Sequence, residues 1–155
     1  MGAAEDRLKE LGITLPEPPE PVANYVSTVR TGDLLFLAGT APAADATGKS
    51  PLGKLGKDMS VEEGYDAARL VGLNLLGRLK KDLGELDRVG RVVKLLTMVN
   101  CTADFDQQPA VANGCSDLLV EVFGDLGRHA RSAVGMASLP NQIPVEIEMI
   151  VEVEG

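Results

Sequence analysis

Few residues of this 155-residue chain combine a reactive type with a setting that could use it. Arg131 opens the otherwise apolar run Ser132-Ala-Val-Gly-Met-Ala, and a guanidinium can bind a carboxylate or phosphate as a planar fork. Glu146 heads an alternating series with Glu148, Glu152 and Glu154, and a carboxylate can serve as a general base. By spacing alone the blander readings win: an ion pair with one of the many carboxylates for Arg131, and a solvated sheet face for three of the four glutamates. His129, two positions before Arg131, could line a pocket as a proton donor, although a loop histidine at a strand start is more often exposed. Cys101 and Cys115 stand fourteen positions apart beside a single histidine, which forms neither a CxxC pair nor a zinc-ligand set. They read as buried free thiols of a reducing, cytoplasmic compartment. The serine-hydrolase elbow, Walker loop, HExxH and dinucleotide GxGxxG are all missing, so no metal or cofactor is called for by motif.

Composition narrows the partners. With 15 Lys and Arg against 23 Asp and Glu, the formal charge is −8, and there are two Tyr, three Phe and no Trp. Neither a cationic groove nor a stacking platform is present, which makes nucleic acid an unlikely partner. The N-terminus carries both signs of charge, no apolar run approaches membrane-spanning length, and the chain is expected to be neither exported nor inserted.

The elements that must position these residues follow from periodicity. Residues 3–11 read as a short helix, stopped by Gly12 and followed by Pro16, Pro18, Pro19 and Pro21, so residues 1–21 form an arm before a single domain at 22–155. Tyr25–Arg30 and Leu34–Ala38 read as two strands of a hairpin around Thr31-Gly32-Asp33. Ser60-Val-Glu-Glu63 is a capping box that starts a long amphipathic helix ending at Gly84. Gly64, Gly72 and Gly77 inside it suggest close packing on a sheet. The run from Val89 to Cys101 is apolar on both faces, which implies that something covers each, and in a short chain the second cover is another copy of itself. A second helix from about Gln107 to Phe123, with Asp106 as N-cap, and two strands, one opening at Arg131 and the other at 145–154, complete the order ββαβαββ. This is an α+β fold with two helices on one face of a mixed sheet.

Two strings carry a family likeness. Arg131-Ser132-Ala133-Val134, then Leu139-Pro140, then Val145-Glu146-Ile147-Glu148 resembles the signature of the RidA/YjgF family, also called the L-PSP endoribonuclease family. Asn24-Tyr25 and Gly32-Asp33-Leu34-Leu35-Phe36-Leu37-Ala38-Gly39 with Pro42 resemble its first hairpin. The N-terminal arm, Gly53-Lys-Leu-Gly56 and Gly127-Arg-His-Ala-Arg-Ser-Ala-Val-Gly135 resemble a longer branch of that family. The resemblance implies a chorismate-mutase-like fold assembled as a homotrimer, with a pocket at each subunit interface and no cofactor. It implies that Arg131 anchors the carboxylate of a 2-enamino or 2-imino acid and that Glu146 orients or deprotonates the attacking water. Tyr25, Gly39 and Ala133 would line the pocket, together with Asn113 or Ser116. Ala133 stands where the deaminase branch frequently has Cys, and Ala38 where a Ser commonly precedes the hairpin glycine.

Three functions follow in order of preference. The first is an enamine/imine deaminase acting on small carboxylates. The second is a trimer that binds a small carboxylate, or a subunit of another enzyme, without turnover. The third, endoribonuclease, fits poorly with the negative charge.

Overall fold

Alternation along 145–153, interrupted only at Ile150, places Val145, Ile147, Met149, Val151 and Val153 on a single side, and the whole fold is built around that strand. The computed structural model describes residues 2–155. Its elements are α1 (Ala3–Glu10), β1 (Thr28–Thr31), β2 (Leu34–Thr40), α2 (Val61–Leu83), β3 (Val89–Asn100), α3 (Gln108–Phe123), β4 (Ala130–Met136) and β5 (Val145–Val153). The sheet order is β1-β2-β5-β3-β4, so the C-terminal strand is threaded between β2 and β3. All pairings are antiparallel except β3 with β4, which α3 connects as a crossover. Val145, Ile147, Met149, Val151 and Val153 are all buried, and α2 and α3 pack on their side of the sheet. The α+β, chorismate-mutase-like architecture expected from the sequence is therefore present, with the N-terminal helix as a third.

α2 starts where the capping box requires: Glu63 N donates to Ser60 Oγ at 3.1 Å and Ser60 N donates to Glu63 Oε1 at 3.0 Å. Its glycines do not face the sheet as periodicity suggested. A Cβ at Gly72 would meet Leu118 and Cys115 of α3, and one at Gly77 would meet the Pro16 carbonyl, so the close approaches are helix to helix and helix to arm. α3 supplies the reciprocal contact, because a Cβ at Gly114 would strike the Tyr65 carbonyl of α2. The α3 start also differs. The cap position is Gln107, with φ −111° and ψ 33°, and no side chain caps it; Asp106 lies outside. Gln108 Nε2 bonds the Phe105 carbonyl at 3.0 Å, and Pro109 lacks the N–H that a cap would otherwise serve.

The hairpin is shorter at its start than expected. Pairing runs from Thr28↔Leu37 to Thr31↔Leu34, leaving a two-residue loop with Gly32 at φ +57°, while Tyr25 lies before the strand. The arm is tied down rather than loose. Ala4 and Leu8 join the main core, Lys80 pairs with Glu5 at 2.6 Å, and Ala4 N donates to Asp87 at 2.9 Å. Farther along, Arg78 of α2 donates to the Pro19 carbonyl at 2.6 Å and lies 3.6 Å from both Glu20 and Asp82, strapping the prolines onto the helix.

The two faces of β3 are covered unequally. Val92, Leu95 and Val99 face the helices, whereas Met98 packs on the other side with Leu139 and Ile143. The chain thus covers one end of its own second face, and Phe36 and Val134 stay exposed there. Among the described residues no helix is long and apolar enough to cross a membrane. Because overpacking a helix contact costs about 1–3 kcal/mol and each kcal/mol moves Tm by roughly 2–4 °C at this chain length, Gly114→Ala is expected to lower Tm by about 3–10 °C in a thermal melt. An unchanged Tm would contradict the α2–α3 backbone approach.

Candidate active site

β4 is an edge strand, and its register decides where Arg131 can point. Arg131 pairs with Leu95, which pairs with Met149, and both of those side chains are buried beneath the helices. Arg131 therefore lies on the helix side, beside α3. Both hydrogens of its Nη1 are engaged, one by Asn113 Oδ1 at 2.9 Å and one by Ser116 Oγ at 3.1 Å. Asn113 and Ser116 are three apart and share one face of α3, so the two alternatives for the helix position are both in contact with the guanidinium. Among the described residues no carboxylate pairs with Arg131, and its Nε and Nη2 have no protein partner. This corrects the ion-pair reading: the charge is held by two neutral oxygens, and the Nε/Nη2 edge is left without a protein partner beside the cleft that Arg131 borders.

Ser116 is itself held from behind. Its Oγ lies 2.9 Å from His129 Nε2, and His129 Nδ1 lies 2.7 Å from the Gly127 carbonyl. A carbonyl only accepts, so Nδ1 carries the proton, and in the neutral ring Nε2 accepts from the serine hydroxyl. Burial chiefly, with the Arg131 charge, holds the imidazole below its ordinary 6.5, against the opposing bond to Gly127. His129 is half-buried, not the exposed loop histidine that the sequence favoured. These groups border an open cleft of about 260 Å³ that Asp117 and Arg128 complete. Ala133 lies two residues along β4 on the same side as Arg131, paired with the buried Thr97.

Glu146 belongs to the other face. It pairs with Met98, which pairs with Val134, and Met98 packs away from the helices. Its carboxyl has no partner among the described residues, and burial first, then the neighbouring Glu148 charge, pushes its pKa above the ordinary 4.5. Gly39 sits where the β2–β5 register slips between Leu37 and Thr40, and a Cβ there would collide with the Glu146 carboxylate. A side chain there would have to displace the Glu146 carboxylate from its position. Tyr25 and Gly39 line one cleft of about 200 Å³ with Thr40, Ala41, Asn74 and Arg78. Asn74 and Arg78 were not anticipated. Their signal was available: two polar residues four apart within the buried stripe of α2, both under one-tenth exposed.

The structure thus brings the expected residues together in two groups. Gly39 and the Glu146 carboxylate form one, with Tyr25 in the adjoining cleft that Asn74 and Arg78 of α2 also line, and Arg131, Asn113 and Ala133 form the other, with Ser116 and His129. Arg131 and Glu146 project from opposite faces of one sheet, so a single chain does not present both to one small molecule.

The comparisons with known proteins agree with this fold. A model of the family described as "YjgF/chorismate mutase-like, putative endoribonuclease" matches residues 5–151. The chain belongs to the YjgF/chorismate mutase-like family. Within it, Protein TCP17 of Trypanosoma cruzi is 45% identical over 152 residues, which span 97% of this chain and 94% of that one. Atu1372 of Agrobacterium tumefaciens, a protein of unknown function, is 44% identical with a TM-score of 0.88, covering 98% of this chain and 93% of its own. A structure from Shewanella oneidensis MR-1 that bears the same endoribonuclease label is 33% identical with a TM-score of 0.91, covering 98% and 100%. YjgF-family relatives of this similarity thus share nearly the whole chain.

The Glu146 environment makes a stability prediction. A carboxyl whose pKa is raised in the folded state binds more protons there than when unfolded, so stability falls as pH rises above 4.5. Glu146→Gln removes that loss, and its Tm relative to wild type is expected to rise between pH 4 and pH 7. A difference that does not change with pH would show that the carboxylate is freely solvated.

Proposed function

We propose that this protein is an enamine/imine deaminase that hydrolyses small 2-imino acids to 2-oxo acids and ammonia. The observation that carries this reading is the guanidinium of Arg131, fixed by Asn113 and Ser116, free of any carboxylate and with its two-nitrogen edge open. In a chain of net charge −8 an arginine without a carboxylate partner is conspicuous, and its open edge matches a carboxylate in two parallel charge-assisted hydrogen bonds. The reach of such a fork fixes the carbon next to the carboxylate in one place.

Chemistry at that carbon needs a base and an exit for nitrogen. An enamine first takes a proton at its terminal carbon and becomes the imine. Water then adds to the C=N carbon while Glu146, its pKa raised by burial, takes the water proton. The nitrogen takes up a proton, the C–N bond breaks, ammonia leaves, and the carbonyl of the 2-oxo acid forms. Tyr25 shares a cleft with Gly39, whose backbone borders the Glu146 carboxylate, and adds a hydroxyl to this half. No cofactor enters the scheme.

Because one chain holds the two halves on opposite faces, the site is completed by a second copy. The Gly39–Glu146 face of one subunit meets the Arg131–Asn113–Ser116 edge of its neighbour, and closing that heterologous contact into a ring gives the trimer. Two buried free cysteines suit a reducing cytoplasm.

The reading is tested by adding the protein to a dehydratase that releases 2-aminoacrylate and following pyruvate. Loss of the fork removes hydrogen bonds to a charged group, each about 1.5–3 kcal/mol, so Arg131→Ala is expected to lose at least about 10- to 100-fold in kcat/KM. If wild type accelerates pyruvate formation no more than Arg131→Ala, the protein is not a deaminase of this class.

A further inference from the structure

Behind the proposed carboxylate anchor stands a group that the deamination scheme does not use. Ser116 Oγ accepts from Arg131 Nη1 and donates to His129 Nε2, so its one proton is turned inward while the imidazole is neutral. The Nδ1–H bond to the Gly127 carbonyl holds that ring in place at either protonation state. If Nε2 gains a proton it becomes a donor, and Ser116 Oγ then accepts from both His129 and Arg131. The serine proton must turn away from both, toward the cleft that Arg131 borders.

Resting on the carboxylate reading of Arg131, we propose that Ser116 and His129 complete the anchor as a proton-gated donor: when His129 is protonated, the Ser116 hydroxyl is released to a carboxylate ligand held by Arg131. Affinity for small carboxylates then rises as pH falls. By reciprocity, a bound carboxylate raises the affinity of His129 for its proton by the same factor.

The charged surroundings of His129 are few. Arg131 lies two residues on, in β4, Asp117 of α3 lines the same cleft and accepts the Tyr65 hydroxyl at 2.7 Å, and Arg128 pairs with Asp125 at 3.3 Å. Glu121, one turn along α3, is paired with Arg69 at 3.2 Å. In the free protein burial and Arg131 together favour the neutral ring, so the gate is closed at neutral pH and opens below the ordinary imidazole value of 6.5.

His129 is the single histidine of the chain, so its ring resonances are assigned without ambiguity. The test is NMR titration of the full-length protein from pH 8 to pH 5 with and without pyruvate, which stays ionised throughout, alongside pyruvate affinity by calorimetry. The expected result is an Nδ1–H neutral tautomer, an upward move of the His129 pKa on adding pyruvate, and pyruvate binding roughly tenfold or more tighter at pH 5 than at pH 8. His129→Gln should flatten the pH dependence, and Ser116→Ala should reduce it while leaving the titrating ring. Binding that Arg131→Ala abolishes but that stays level with pH overturns the gate alone. Binding absent at every pH overturns the anchor and the gate together.

Discussion

A guanidinium that no carboxylate neutralises is the feature on which the rest of this site depends. Arg131 is one of 15 basic residues among 23 acidic ones, and the simplest fate for it was a surface ion pair. The fold prevents that by setting it on an edge strand under α3, where the groups within reach are the amide of Asn113 and the hydroxyl of Ser116. Neutral acceptors orient the plane without cancelling the charge. The cost is borne by the surrounding structure: α3 must lie close enough to deliver both residues, which needs Gly114 against the α2 backbone. The long-range field of an acidic protein opposes an anionic ligand, so recognition depends on this local geometry.

The second constraint is the sheet itself. Side chains alternate across a strand and paired residues share a face, so the register Arg131–Leu95–Met149 and the register Val134–Met98–Glu146 assign the two key residues to opposite sides. No rotamer change crosses a five-stranded sheet. A small substrate that needs both groups must lie between two copies of the chain. The open face fits such a role, since the chain covers only the end near Met98, Leu139 and Ile143 and leaves Phe36 and Val134 exposed.

Much of the scaffold was legible from local signals. Val145 to Val153 alternates except at Ile150, Ser60 and Glu63 mark a helix start, and Gly84 marks its end, each a short-range rule that tertiary context reinforced. What failed was also local: Asp106 had the right type for a cap but Gln107 took the position, and Tyr25 fell before the strand rather than in it. Arg131 and Glu146 drew attention by type and setting, but only family resemblance gave them roles, since spacing alone favoured a surface ion pair for Arg131 and a solvated face for three of the four strand glutamates. That they lie on opposite faces could not be read, because it requires knowing that β4 joins β3 in parallel and that β5 is inserted beside it. Contacts such as Ser116 with His129 join α3 to the approach of β4 across thirteen residues and leave no periodic trace.

The central claim is that Arg131 of one subunit and Glu146 of another serve the same substrate, and mixing inactive subunits tests it most directly. Arg131→Ala and Glu146→Gln chains are purified separately, then unfolded, mixed in equal amounts and refolded, with pyruvate formation from 2-aminoacrylate as the readout. In a randomly mixed ring, about one interface in four pairs an intact Arg131 with an intact Glu146, so activity near a quarter of wild type is expected where each variant alone has almost none. A mixture no more active than its parents, although its subunits have exchanged, would contradict a site shared between chains.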